Sequence, residues 1–318
     1  MDDKLLSVII LTYRHGELLK EALLSVFQQS YPQIEVIIAE DGASDFDKTQ
    51  IEAYINANRK SNIVSLKMLI NSENRGTVIN LNNAIKEANG EYIKIIAGDD
   101  TYPDESIFKK QVKLLKNSNK DLVFGNIIEC DAKMNPIITK GFEPCGLTFL
   151  LSGNKKQLRK YIVKVDSSLI STQSICFKKR FFDENGLYDE RLLLIEDLPM
   201  AMRIISCDSY EYQNLDAVNH RGDVGISSSR NTFDRKKIKY YKDLEIYFDE
   251  VLNPWRNEIG RNYLKMRANV CRFRIKYSLL KTDDKITKIK LILQYSISLV
   301  YYLISNFKQT RRHLKNLR

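Results

Sequence analysis

The sequence has no Cys-x-x-Cys pair, and its five cysteines, Cys130, Cys145, Cys176, Cys207 and Cys271, are odd in number and widely spaced. Neither a disulfide framework nor a zinc site is indicated, and the cysteines read as buried thiols of a reducing compartment. No Gly-x-Gly-x-x-Gly follows the first apolar run and no Gly-x-x-x-x-Gly-Lys-Ser/Thr occurs, which argues against a dinucleotide-dependent dehydrogenase and a P-loop enzyme. The start, Met1-Asp-Asp-Lys, lacks the basic and apolar regions of a secretory signal, so a cytoplasmic chain is expected. A hydrophobic run long enough to cross a bilayer is also missing. Leu291–Phe307 carries no formal charge, but its 17 residues include Gln294, Ser296, Ser298, Ser305 and Asn306. That falls short of the roughly 20 apolar residues a span requires.

What is present is a chain of 318 residues with 43% hydrophobic content, enough for one large domain and an appendage. Its charge is uneven. Residues 235–318 hold 21 Lys/Arg against 7 Asp/Glu, a balance of +14 that leaves −4 for residues 1–234 of the total of +10. A mildly acidic body with a strongly basic tail points to an anionic partner for the tail. The excess lies beside an uncharged amphipathic stretch and no RNA-binding aromatic motif occurs, so nucleic acid is not the expected partner. A helix lying on an anionic membrane face fits better, with an oligomer contact as the other reading.

Residues 1–234 alternate strand and helix patterns. Leu5–Leu11 is a short Val/Ile-rich run, and Glu17–Gln28 then places Leu18, Leu19, Ala22, Leu23, Val26 and Phe27 at helical spacing. The unit repeats: strands are expected at Ile34–Ala39, Val64–Ile70, Tyr92–Ala97 and Leu122–Ile128, and helices at Asp47–Asn58, Gly76–Ala88 and Pro103–Lys116. Continuous apolar strands separated by helices predict an α/β fold with a mostly parallel, Rossmann-like sheet flanked by helices. Beyond Asp131 the pattern loosens, becomes strand-like at Ser174–Phe177, and after Arg235 turns helical and basic, a C-terminal helical extension.

Ligands of open parallel sheets sit outside the carboxyl ends of the strands. The polar residues there are Thr12-Tyr13, Glu40-Asp41-Gly42 and Asp99-Asp100. Carboxylates in that position suggest Mg²⁺ or Mn²⁺, which favour one or two carboxylates together with substrate phosphate oxygens. The competing readings are a strand end and an Asx turn for Thr12 and Asp41. For Asp99-Asp100 the competitor is a cap on a helix starting near Thr101-Tyr-Pro-Asp.

The chain resembles the family 2 glycosyltransferases of the GT-A fold, the class that includes bacterial surface-polysaccharide enzymes. The stretches that carry the resemblance are Val8-Ile-Ile-Leu-Thr-Tyr, Leu24-Ser-Val-Phe-Gln-Gln-Ser-Tyr and Glu35-Val-Ile-Ile-Ala-Glu-Asp-Gly-Ala-Ser-Asp. Asn74-Arg-Gly, Gly90-Glu-Tyr-Ile-Lys-Ile-Ile-Ala-Gly-Asp-Asp and Tyr188-Asp-Glu through Ile195-Glu-Asp continue it, in order, over residues 5–230. The resemblance implies an inverting transfer from a nucleoside-diphosphate sugar to a glycan or lipid-linked hydroxyl in surface-polysaccharide assembly; the cysteines and the basic tail add the expectation of a cytoplasmic protein that is peripheral on the inner membrane face.

By the same resemblance, Thr12 and Tyr13 line the nucleotide pocket, Asp41 bonds the base or ribose, and Asp99 and Asp100 hold a divalent ion, Mn²⁺ or Mg²⁺, on the donor phosphates. Asp197 is the base that takes the acceptor proton, with Glu196 orienting it or touching the acceptor. His220 joins the cation or phosphates and Arg221 offers phosphate a fork of donors. Residue by residue, Glu196 and Asp197 also suit the start of a helix whose apolar stripe is Met200, Ile204 and Ile205. Two departures stand out: Ala97 replaces a frequent Asp, and Leu81 replaces an Arg that commonly helps hold the nucleotide. They keep open a catalytically inactive nucleotide-sugar-binding protein. A nucleotidyltransferase is the third reading, though its glycine-rich loop after the first strand is reduced here to Tyr13-Arg-His-Gly-Glu.

Overall fold

The computed structural model describes residues 3–140, 144–165, 170–222, 237–280 and 284–316. The chain divides into two compact units.

The first unit is built on an eight-stranded sheet. In chain order it contains β1 (Leu6–Thr12), α1 (Leu18–Phe27), β2 (Ile34–Glu40), α2 (Lys48–Asn58), β3 (Ile63–Ile70), α3 (Thr77–Glu87), β4 (Tyr92–Ala97), α4 (Ile107–Asn117), β5 (Leu122–Cys130), β6 (Pro136–Lys140) and α5 (Pro144–Leu151). The chain runs next through α6 (Lys155–Val165) of the second unit. The first resumes with β7 (Ile175–Lys178), α7 (Arg180–Asn185), α8 (Asp197–Cys207) and β8 (Tyr210–Arg221). The strand order is β3-β2-β1-β4-β7-β5-β6, and β8 pairs with β5.

The parallel pairs β1·β2, β1·β4 and β2·β3 form the alternating half that the sequence pattern predicts. Every residue of β2 is buried, and α1 turns Leu19, Ala22, Leu23, Val26 and Phe27 onto the same core. Aliphatic runs of this kind belong where helices cover both faces of a sheet.

Beyond β4 the order changes. The short β7 inserts antiparallel between β4 and β5, and β8 lies parallel to β5 along most of its length. β8 has no continuous apolar run: only Tyr210, Ala217, Val218 and Arg221 are buried, and two register shifts interrupt its pairing. The fourth helix starts at Ile107 rather than near Pro103. Thr101 is drawn into a bridge with Asn219, and the Asp104 carboxylate folds 104–106 into a turn by accepting from Ser106 N at 2.7 Å.

The second unit contains α6, the segment Arg191–Ile195 and the helices after residue 237. These are α9 (Ile238–Ile246), α10 (Arg256–Ile259), α11 (Arg261–Leu279) and α12 (Lys285–Asn316). Within it, Arg159 grips Glu258 through Nε and Nη2 at 3.0–3.1 Å. Asp243 accepts the Leu194 amide at 2.6 Å. No helix among the described residues is long and apolar enough to cross a membrane.

Candidate active site

At the carboxyl ends of β1 and β2 the chain closes a tight loop cluster. Thr12 is buried and its carbonyl accepts the Asp41 amide at 3.0 Å, tying the two strand ends together. The buried Glu40 side chain accepts from the amides of Gly42 (2.9 Å) and Ala43 (2.8 Å). Gly42 has φ +75°, and a Cβ there would lie 2.3 Å from the Glu73 backbone, so only glycine admits the neighbouring loop.

That loop is folded around Asp41. One carboxylate oxygen accepts from Asn71 Nδ2 (3.0 Å) and Arg75 N (2.9 Å), the other from Gly76 N (2.9 Å). Gly76 precedes α3 and has no side chain, so Asp41 supplies from a distance the cap the helix lacks. Asn80 steadies the arrangement by donating to Ala39 O and accepting from Asn71 Nδ2. Tyr13 stands beside this cluster with its ring 37% exposed and the Arg14 guanidinium 5.3 Å from its centre, leaving ring surface for a planar ligand.

The end of β4 holds Asp99 and Asp100, and neither caps α4. Asp100 is fully buried. One of its oxygens accepts Arg221 N at 2.8 Å, and the other is 3.2 Å from His220 Nδ1. Asp100, expected among the cation ligands, therefore has both oxygens engaged by the end of β8. Arg221, expected to offer its fork to phosphate, is 2% exposed; its guanidinium donates to Asp99 O (2.8 Å), Ala132 O (2.5 Å) and Glu21 (2.6 Å). In this structure it fastens β8, β4 and α1 together.

Asp99 is 7% exposed, and its carboxylate lies 3.8 Å from His15 Nε2. Burial, and then the neighbouring Asp100, raises its pKa above the usual carboxylate value. The hydrogen bond to Asp100 likewise raises that of His220. His15 Nδ1 is buried without a partner, packed where a Cβ on Gly98 would otherwise sit.

The donor set sets limits on any cation. Among the described residues no three carboxylate, imidazole or thiol groups gather into a self-sufficient metal cage. Asp99, the His15 imidazole beside it and the second ring nitrogen of His220 are the nearby donors, and His220 is oriented through its Nδ1 by a carboxylate, as metal-binding imidazoles usually are. This fits an ion of the Mg²⁺ or Mn²⁺ kind that takes most of its ligands from phosphate and water.

Asp197 opens α8, as its sequence context predicts, and Met200, Ile204 and Ile205 form the buried stripe behind it. Its oxygens accept from Thr172 N at 2.7 Å and Ser171 Oγ at 3.0 Å. Ser171 and Thr172 immediately precede β7. Antiparallel pairing of Cys176 with Lys94 means that, going backward from β7, they fall at the carboxyl end of β4, the edge that also bears Asp99. Thr172 Oγ1 is 3.1 Å from the buried Tyr188 hydroxyl. Asn82 of α3 fixes the Tyr188 backbone by a reciprocal pair of bonds at 2.9 and 3.0 Å and donates to Glu190. Glu196 is half-buried beside Asp197.

Thr12, Asp41, Asp99, Asp197 and His220 thus all stand at the carboxyl edge of one sheet. Sequence reasoning missed Ser171, Thr172, Asn71 and Glu21, none of which lies in a pattern that announces a role; Glu40 was among the strand-end residues it singled out, without the turn it folds. The Gly225-Ile-Ser-Ser-Ser stretch that follows His220-Arg221-Gly222 in the sequence lies outside the described residues.

The family model for glycosyl transferase family 2 matches residues 7–182. Among curated relatives, an uncharacterised glycosyltransferase of Rickettsia conorii is 29% identical over 202 residues, covering 63% of this chain and 31% of the relative. The poly-β-1,6-N-acetyl-D-glucosamine synthase of Staphylococcus epidermidis is 31% identical over 206 residues, 59% of this chain and 48% of the synthase. The chain thus spans a third to a half of the length of these two relatives. Among solved structures, S. aureus TarS 1–349 with UDP-GlcNAc superposes with a TM-score of 0.58 at 16% identity, covering 92% of this chain and 81% of that one. A mannosyltransferase of Pyrobaculum calidifontis, PcManGT, with GDP-Man and Mn²⁺, gives 0.56 at 16% identity, covering 98% and 84%. At that identity the likeness is one of fold.

Proposed function

Since the chain belongs to glycosyl transferase family 2, we propose that it transfers a sugar, with inversion, from a nucleoside-diphosphate sugar to a hydroxyl of a glycan or lipid-linked acceptor. The observation that carries this reading is that Asp41, Asp99 and Asp197, remote in sequence, stand at one edge of one sheet, the Asp41 and Asp197 carboxylates fixed by the loops that donate to them and the Asp99 carbonyl by Arg221 of β8. The nucleotide complexes of the TarS and PcManGT structures support a nucleoside-diphosphate donor.

In this proposal residues 1–234 form the catalytic domain and 235–318 a basic helical appendage. The nucleoside lies against Thr12 and the Tyr13 ring, on the loop that Asp41 folds. Asp99 and His220 would hold a divalent ion, Mn²⁺ or Mg²⁺, which would supply neutralisation of the charge that builds on the departing diphosphate. Asp100 and Arg221 act through them, Asp100 by aiming His220 and Arg221 by clamping the Asp99 carbonyl.

Asp197 takes the acceptor proton as the acceptor oxygen attacks the anomeric carbon from the side opposite the diphosphate. The new C–O bond forms while the old one breaks, and the nucleoside diphosphate leaves with the bonding pair. The bonds from Ser171 and Thr172 fix the direction of the Asp197 carboxylate. Glu196 borders the acceptor.

The relative from S. epidermidis supports a role in surface-polysaccharide assembly. Such an acceptor would be met in the cytoplasm, on the inner face of the membrane; Cys130, Cys176, Cys207 and Cys271, none of them in a disulfide, agree with a reducing compartment. The test is Asp197→Asn, read by nucleoside-diphosphate release and by equilibrium donor binding. Donor affinity is retained while turnover drops at least ~100-fold, the scale of losing a general base. Wild-type turnover in the variant assigns proton removal to another group.

A further inference from the structure

The outer face of α12 combines apolar exposure with positive charge. The helix opens at Asp284, whose carboxylate accepts Thr287 N at 3.0 Å. Its inner stripe is anchored to α11: Leu291 and Tyr295 pack on Phe273, Asn269 bonds Ser298 Oγ at 3.2 Å, and Arg274 reaches the Tyr302 hydroxyl. These contacts fix which side faces outward. On that side Ile286, Ile289, Leu293, Ile297, Val300 and Ile304 recur at spacings of three and four, and Ile297 is 86% exposed. The run covers about 28 Å at 1.5 Å per residue. A contiguous aliphatic surface of this length is uncommon on a monomer and marks an interaction face.

Charge selects the occupant. α12 contains no acidic residue and carries seven Lys/Arg. Lys285 and Lys290 are exposed at its first turns, where helical spacing puts one on each margin of the apolar face. Lys308, Arg311, Arg312 and Lys315 follow the apolar run in sequence. A second copy docked through this face would oppose cations to cations. A protein partner is usually recognised through a few central anchors, often aromatic or Arg, whereas here the aliphatic side chains run evenly along a convex rod. Hydrocarbon accepts such a surface anywhere along its length, and cations at its margins meet the headgroups.

We propose that α12 lies in the plane of an anionic bilayer, with the Ile286–Ile304 face sunk to the boundary between headgroups and acyl chains and its lysines on lipid phosphates. This gives a helix and a lipid charge to the membrane location proposed above, and it stands or falls separately from the transfer reaction.

The experiment is flotation of the full chain with phosphatidylcholine vesicles, with and without phosphatidylglycerol. It is repeated for the triple variant Ile289→Ser/Leu293→Ser/Ile297→Ser and for Lys285→Gln/Lys290→Gln. Wild-type protein floats with the anionic vesicles only, and less at high salt. The triple variant partitions at least ~10-fold more weakly, because the apolar burial that drives insertion is lost. The lysine variant loses its preference for anionic lipid. An unchanged circular-dichroism spectrum and melting temperature in both variants show that the chain is still folded. Equal flotation of wild type and triple variant overturns the proposal, as does flotation with neither vesicle. So does self-association in lipid-free solution that the triple variant abolishes, since the face would then belong to a second copy.

Discussion

Replacing Asp41 by Asn separates a side chain that touches the nucleotide from one that builds the loop the nucleotide meets. The carboxylate is 4% exposed and accepts three hydrogen bonds, from Asn71 Nδ2, Arg75 N and Gly76 N. Asn keeps one acceptor oxygen and replaces the other with a donor. If the oxygen stays toward Asn71 and Arg75, the new NH₂ opposes the buried Gly76 amide, and that amide loses its partner. An unsatisfied buried donor costs about 1–3 kcal/mol. At roughly 2–4 °C per kcal/mol, a loss near 2 kcal/mol lowers the melting temperature by about 4–8 °C. The loop loosens with it, so affinity for the nucleoside diphosphate falls in the same variant. Differential scanning calorimetry and isothermal titration on one preparation measure both effects. A variant as stable as wild type that no longer binds nucleotide refutes the argument, because Asp41 would then act on the ligand and not on the loop.

Four further outcomes are expected. Chelation abolishes turnover and Mn²⁺ or Mg²⁺ restores it; transfer that continues without metal removes the role given to Asp99. Asp99 and His220 both hold their protons more tightly than usual in the cation-free protein, so cation affinity climbs as pH rises through their raised pKa values and binding releases protons. Calorimetry in buffers of different ionisation heat measures that release, and His220→Ala reduces it. Gly98→Ala sets a methyl 2.7 Å from His15 Nδ1 and 3.1 Å from the Thr12 side chain, so donor affinity falls more than stability, judged by titration against urea denaturation. Lys94 is wholly buried and its pKa is lowered to about 8 by that burial, against 10.5 for an exposed lysine. The unfolded chain therefore binds more protons between these values, and wild type gains about 3 kcal/mol on Lys94→Met as pH rises from 8 to 10.5. A constant difference between the two chains over that range would show that Lys94 is not desolvated as its position implies.

The half of the sheet that holds the nucleotide edge was legible because each piece repeats a physical pattern. β1, β2 and β4 are mostly aliphatic, broken within their length only by Ser7, Glu35 and Lys94, the helices between them show 3.6-residue spacing, and the polar residues at and just past the strand ends mark the ligand edge. Asp197 was legible for a related reason. An acidic pair ahead of the Met200–Ile205 stripe marks a helix start in sequence, and here that start faces the loop before β7. The family resemblance added roles to these positions, and residue patterns alone would have left them as caps and turns.

The other half was not legible, because its strands carry no signal of their own. β7 has four residues, and β8 is a half-polar strand whose register slips twice. What fixes β8 is a set of side-chain bonds to residues about 90 to 200 positions away. Arg221 reaches Glu21, Ala132 and Asp99, and Asp100 reaches back to its amide and to His220. Spacing along the chain encodes none of these. They explain why Asp100 and Arg221, read from sequence as ligands for the cation and the phosphates, sit buried instead. The cation site proposed above, with so few donors of its own, would need Asp99 and His220 held in fixed directions before any ligand arrives. The buried Asp100 carboxylate is satisfied by the Arg221 amide and His220, and the buried Arg221 guanidinium by the Asp99 and Ala132 carbonyls and the exposed Glu21 carboxylate. Moving any of these groups would leave a buried polar group unpaired, which is costly. Disturbing Glu21, which caps the far end of that chain of bonds on α1, should therefore weaken cation binding without touching the cation.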